Sequence, residues 1–188
     1  MIKKIFTAFF FVAIFFISAT TFAAYEETIT EGADFSSLKT FAIALPSHYK
    51  IEATEPTAEE FADILSNASR LANFKVLSYD EVVDLVWKDA RVELKALQGP
   101  EAAKIFNQYV YKYADAYILL TSANNNKHTQ FFFEVRKTSD GSLLYVFNTQ
   151  SKFYSKDLKG YTRACEEFYK RFNSVMEKAI KDSEKKKK

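Results

Sequence analysis

Residues 39–81, KTFAIALPSHYKIEATEPTAEEFADILSNASRLANFKVLSYDE, decide the fold, because they read as strand, helix, strand and the start of a second helix. Large Phe41, Ile43 and Leu45 alternate with small Ala42 and Ala44, the period of a strand whose large side chains share one face. Pro46 ends that strand by removing a ladder donor, and Ser47 to Pro56 reads as loop. Thr57-Ala58-Glu59-Glu60 fits a capping box, in which the Thr57 hydroxyl and the Glu60 carboxylate each accept from the other residue's amide. The helix it opens buries Phe61, Ile64, Leu65, Ala68 and Leu71. Phe74-Lys75-Val76-Leu77 is short enough for an inner strand. Ser78-Tyr79-Asp80-Glu81 is a second capping box, with Leu77 and Val82 placed for a hydrophobic staple.

Outward from this core, Val83, Val86, Ala90, Leu94 and Leu97 continue the second helix to Gly99. Pro100 suits the first turn of a third, with Ala102, Ile105, Phe106, Tyr109, Val110 and Tyr113 on its apolar face. Ala116 to Thr121 reads as a strand buried on both faces. Residues 123–127 form a turn, and His128–Lys137 and Ser142–Lys152 are strands joined through Thr138-Ser139-Asp140-Gly141. A long last helix starts near Asp157 and carries Tyr161, Cys165, Phe168, Phe172, Val175 and Ala179 along one stripe, suited to lying across a sheet. Upstream, residues 25–37 are a polar, acidic lead-in. The order β-α-β-α-α-β-β-β-α predicts an α/β (α+β) two-layer sandwich: a mixed sheet of about five strands with helices packed on it.

The amino terminus sets the expected location. Lys3-Lys4, the apolar run Ile5 to Ile17 and the small-residue exit to Ala23 are the three parts of a secretory signal peptide. Cleavage after Ala23 is expected, giving a single globular domain over residues 24–184, a basic tail at residues 185–188, and a periplasmic or secreted location. The 188 residues less these 23 leave 165, ample for one self-sufficient core. Removing Lys3 and Lys4 leaves 24 basic residues against 24 acidic, a balance that argues against nucleic acid or an anionic membrane as a general partner. Cys165 is the one cysteine, so packing rather than disulfides must hold the domain together.

The residues offer little catalytic chemistry. Four glycines, Gly32, Gly99, Gly141 and Gly160, stand too far apart to cradle a phosphate. His48 and His128 lie 80 positions apart with no second ligand at helical spacing, so neither metal nor cofactor is expected, and they read as a loop and a strand-start histidine. Cys165, on the apolar stripe, reads as a small buried hydrophobe. The acidic pairs Glu59-Glu60 and Glu166-Glu167 sit on helices, where adjacent residues face apart. The richest feature is aromatic: Phe131, Phe132 and Phe133, with Tyr145 and Phe147 on the partner strand. Alternation sends Phe131 and Phe133 one way and Phe132 the other. Core packing with a helix-covered outer surface accounts for most of the cluster, and Phe132, Tyr145 and Phe147 are the candidates for an aromatic binding surface.

Three stretches also carry a resemblance. Asp34-Phe35-Ser36-Ser37-Leu38-Lys39-Thr40-Phe41-Ala42 resembles the opening of a group of small envelope lipoproteins of Gram-negative bacteria. Asn73 to Ser78, then a helix, then Tyr113-Ala114-Asp115-Ala116-Tyr117-Ile118-Leu119-Leu120, with Ser139-Asp140-Gly141 following, is similar to the amino-terminal domain of TolB and the periplasmic domain of CsgG. The resemblance spans about residues 34–152 and implies a two-layer α/β domain in a cell envelope. It implies no catalytic residue. This chain lacks the lipoproteins' lipidated cysteine, the propeller of TolB and the pore strands of CsgG.

The functional expectation is a non-enzymatic envelope domain that binds another envelope component, without a stable membrane anchor after cleavage. The alternatives are a hydrolase using a carboxylate pair brought together by folding, and a small-molecule carrier. A concave pocket of converging carboxylates, an apolar cavity and a flat exposed patch are what distinguish the three.

Overall fold

Seven strands and four α-helices make up the computed structural model, which describes residues 25–50, 55–124, 128–151 and 158–186. The strands are β1 (Tyr25–Ile29), β2 (Thr40–Ile43), β3 (Ser47–Tyr49), β4 (Lys75–Leu77), β5 (Ala116–Asn124), β6 (Thr129–Lys137) and β7 (Leu143–Gln150). The helices are α1 (Ala58–Ala68), α2 (Tyr79–Ala90), α3 (Gly99–Val110) and α4 (Leu158–Lys186). The expected signal peptide lies outside the described residues.

One mixed sheet runs β1-β7-β6-β5-β2-β4. β2 pairs parallel with both β4 and β5, and β3 prolongs the β2 line along β5, also parallel. β6, β7 and β1 add antiparallel strands on the other side of β5. The mixed α/β architecture therefore stands as the sequence predicts, with two more short strands. β1 falls in the polar lead-in: it is an edge strand, and charged residues such as Glu26 and Glu27 there blunt the edge while hiding the alternation a strand reading needs. β3 falls in the expected loop, where only three residues take up ladder bonds after Pro46.

Both capping boxes form. The Glu60 amide donates to Thr57 Oγ1 at 3.1 Å while the Thr57 amide donates to Glu60 Oε2 at 2.8 Å. At α2 the same pair of bonds joins Glu81 and Ser78, at 3.1 and 2.7 Å. α2 stops at Ala90, short of the expected Leu97, because Arg91 takes a left-handed conformation (φ 56°) and its amide closes on the Trp87 carbonyl. Leu94 keeps its place in the core from a separate 3₁₀ turn over Leu94–Ala96, so the apolar spacing survives where the helix does not.

The core is aromatic. α4 lays its stripe on the inner sheet face, with Phe168 stacked on Phe133 (centroids 4.6 Å apart, planes 6° apart) and Phe172 edge-on to Phe41 at 5.5 Å. Each such ring, fully buried, stabilises the fold by about 1.5–3 kcal/mol through area removed from water. α1 packs beside α4 on this face, where Phe61 meets Phe131 and Tyr161. α3 packs on the opposite, outer face, with Phe106 edge-on to Tyr117 of β5 at 5.7 Å. The crossover β2-α1-β4 thus runs over one face, and the return from β4 through α2 and α3 to β5 runs over the other.

Asp115 fixes the start of the central pair. Its Oδ2 accepts from the amides of Lys39 and Thr40 at 2.8 and 2.9 Å, and its own amide donates to the Thr40 carbonyl at 2.8 Å. The hairpin between β6 and β7 closes at Gly141 (φ 71°), where a side chain would be strained.

Candidate functional site

Strand alternation splits Ser47 and His48 of β3 between the two faces, and each leads to a separate site. His48 turns inward. Its side chain is 1 % exposed and its Nε2 lies 3.0 Å from Oε2 of Glu55, whose side chain is 0 % exposed. Its Nδ1 lies 2.5 Å from Oγ of Ser122 on β5. Asn124 Nδ2 donates to the same Glu55 carboxylate and, at 3.0 Å, to the Tyr161 hydroxyl of α4. Phe61 and Tyr161 wall the imidazole edge-on at 5.9 and 5.6 Å.

Burial lowers the His48 pKa from its ordinary 6.5, outweighing the opposing pull of Glu55, so the ring is neutral at neutral pH. One ring nitrogen then carries a hydrogen. Glu55 as a carboxylate only accepts, which places that hydrogen on Nε2 and leaves Nδ1 to accept from the Ser122 hydroxyl. The order carboxylate, imidazole, hydroxyl is the one that activates a serine nucleophile. Ser122, however, is fully buried, so no substrate reaches its Oγ in this structure. What the cluster does here is tie β3, the entry to α1, β5 and α4 together. Spacing gave no sign of it: His48 and Ser122 lie 74 positions apart, and the sequence reads His48 as a loop histidine.

Ser47 turns to the outer face, onto a cleft of about 650 Å³. The cleft opens beyond the carboxyl end of β2, between the residues after that strand (Ala44 to Ser47), the 3₁₀ turn and the first turns of α3. Tyr79, Leu97, Phe106, Tyr117 and Leu119 line its apolar walls, and Glu59, Lys95, Gln98 and Asn107 supply polar groups. Lys95 is held by Asp80 at 2.7 Å. The volume falls within the range of small-molecule sites, roughly 300–1,000 Å³. The sequence reading missed this cleft because its walls come from six elements, β3, α1, α2, the 3₁₀ turn, α3 and β5, none carrying a ligand-binding motif.

The aromatic candidates separate. Tyr145 and Phe147 face inward with Val135 and Phe133, fully buried against Phe172 and Phe168. The Tyr145 hydroxyl donates to Glu27 Oε2 of β1 at 3.1 Å, and burial, then Glu27, pushes its pKa up. Phe132 alone of the three faces outward, 37 % exposed, beside Thr121 of β5 and Asn148 of β7. The register explains the split, since Phe132 pairs with Asn148 while Phe147 pairs with Phe133. Near Phe132, Oδ1 of Asn148 is buried with no hydrogen-bond partner.

The other residues singled out have plainer places. Cys165 is fully buried, and burial, then Glu166, raises its pKa. His128 precedes β6. The acidic pairs are used one residue at a time: Glu60 caps α1, Glu166 lies 3.2 Å from Arg70, and Glu167 lies 2.9 Å from Arg171. Among the described residues no group of three His, Cys, Asp or Glu is placed to hold a metal ion, and no helix is long and apolar enough to cross a membrane.

No family model matches the chain, and no curated protein matches it. Solved structures do. The LpoB C-terminal domain from Salmonella enterica is 8 % identical over 65 % of this chain and 87 % of that one, with a TM-score of 0.47. A subunit of the PelC dodecamer from Paraburkholderia phytofirmans is 10 % identical over 81 % and 96 %, with a TM-score of 0.47. The lipoprotein GNA1162 from Neisseria meningitidis is 12 % identical over 63 % and 83 %, with a TM-score of 0.43. These are likenesses of fold alone.

Proposed function

We propose that this chain is a non-enzymatic domain that is exported, loses its signal peptide, and binds another protein of the cell envelope through the outer face of β6 and β7. The observation that carries this reading is Phe132. It is exposed on a sheet face whose β5 side is covered by α3. A large exposed aromatic suits the centre of a protein contact, where buried aromatics carry much of the binding energy. The hydrolase reading gains little, because the buried carboxylate Glu55 is already committed to His48 and Asn124.

The test is capture of partners from an envelope extract on the purified protein, alongside Phe132→Glu and Tyr111→Glu, an exposed tyrosine just past the carboxyl end of α3. A partner retained by the wild type and Tyr111→Glu and lost by Phe132→Glu supports the reading. A partner set unchanged by Phe132→Glu rejects it.

A further inference from the structure

The outer-face cleft and the Phe132 surface are continuous. Ser47 of β3 pairs with Thr121 of β5, and Thr121 pairs with Phe132 of β6, so the three side chains form one row across the outer face. Ser47 stands exposed at one end of that row, on the rim of the cleft, and Phe132 stands at the other. Leu119, the next outward residue of β5, lines the cleft itself.

The neighbouring row begins with Tyr49, which is 67 % exposed and pairs with Ala123, while Ala123 pairs in turn with Gln130 of β6. Tyr49 shares the outer face with Ser47 because His48, between them, turns inward to Ser122. Tyr49 and Phe132 therefore flank β5, whose outward side chains between them, Thr121 and Ala123, are small. A furrow with an aromatic ring on each side runs along β5, past Leu119, into the cleft.

The width of this furrow selects the shape of what fills it. β3 and β6 lie two strand spacings apart, about 9.5 Å. An α-helix with its side chains is about 10–12 Å across and would ride on the two rings, whereas an extended chain enters between them. None of Ser47, Tyr49, Thr121, Ala123, Gln130 and Phe132 is charged, so a charged side chain set down there would lose water and gain no counter-charge. At the far end, Leu97, Phe106, Tyr117 and Leu119 give the cleft apolar walls.

We propose that the protein partner of the Phe132 face docks an extended, uncharged segment along β5, between Tyr49 and Phe132, and sets an apolar side chain into the cleft. This rests on the reading of Phe132 as the protein contact, and adds to it a direction and an end point.

The experiment places a photo-crosslinking phenylalanine analogue at Tyr49, Asn107 or Phe132 of the full chain in growing cells, and maps the adducts by mass spectrometry. Asn107 is exposed on α3 and lines the cleft. All three positions should link to one partner. The peptides linked from 49 and 132 should lie within about five residues of each other, because the two positions stand about 12 Å apart and an extended chain advances about 3.3 Å per residue. That segment should lack Asp, Glu, Lys and Arg, and position 107 should link beside a large apolar residue. Ala103→Trp, exposed in the cleft, should lower the yield at 132 at least about tenfold, the scale of one buried apolar side chain. Lys104→Trp, exposed on α3 but off the cleft, should leave that yield unchanged. A partner adduct at 132 without one at 49 or 107 overturns the docking path and leaves the Phe132 contact standing. So does a charged linked segment, a small-molecule adduct alone at 107, or a yield indifferent to Ala103→Trp. No adduct at 132 overturns both.

Discussion

Ser122 Oγ lies 2.5 Å from His48 Nδ1, and this contact joins the short strand β3 to the central strand β5 beneath the side chains of α1 and α4. It exists because His48 is held neutral by burial, and it makes a pH prediction. A histidine whose folded pKa is depressed contributes stability that is fully present above its unfolded value of 6.5. That stability is lost as pH falls from there through the folded pKa, because the unfolded chain binds the proton first. Urea unfolding at pH 7.5 and 5.5 should therefore show a larger loss for the wild type than for His48→Gln. Equal losses would contradict the buried neutral ring. At pH 7.5, Ser122→Ala should cost about 1–3 kcal/mol, since it leaves Nδ1 buried without a donor.

The capping box of α2 makes a local prediction. Ser78→Ala removes the acceptor of the Glu81 amide and should cost about 1 kcal/mol, with Ser78→Gly milder because glycine is tolerated at an N-cap. Glu81→Ala should cost less than Ser78→Ala, and the double variant should fall short of the sum, because both changes break one reciprocal motif. Equilibrium unfolding of the four variants checks this. A neutral Ser78→Ala would count against the cap.

Asp115 makes a longer-range one. Its carboxylate takes two amides at the entry to β2, across 75 and 76 positions of sequence. Asp115→Ala should destabilise the domain by about 1.5 kcal/mol, toward the lower end for charged hydrogen bonds because the group is exposed. Asp115→Asn, which keeps one acceptor oxygen, should recover part of the loss. Thermal unfolding of both variants decides it, and an unchanged Asp115→Ala would mean that the β2 register is set elsewhere.

Cys165 should be inert in the folded protein. It is fully buried, and its raised pKa keeps the thiolate scarce. Labelling with a thiol reagent should be slow in buffer and fast in denaturant, and Cys165→Ala should cost about 1 kcal/mol for a small buried group. Rapid native labelling would place the thiol outside the core.

Local signals carried most of the architecture into the sequence. Thr57 and Ser78 announce their helices because a capping box is complete within four residues, and Asp140-Gly141 announces its hairpin for the same reason. Edge and junction structure is less legible. β1 is masked by Glu26 and Glu27, and Arg91 ends α2 in a conformation that its residue type does not advertise. The sites are least legible of all, since His48, Glu55, Ser122 and Asn124 meet only through tertiary pairing of β3 with β5. Tyr145 and Phe147 show the converse limit: composition marks them as aromatic, but the pairing register decides that they face the core and Phe132 does not.

The central claim, that the Phe132 face is the contact with an envelope partner, is tested most directly by replacing Phe132 with a photo-crosslinking phenylalanine analogue in growing cells, with Tyr111 as the exposed control. Illumination should give a discrete adduct from position 132 and none from position 111. No adduct at 132, or the same adducts from both positions, would contradict it.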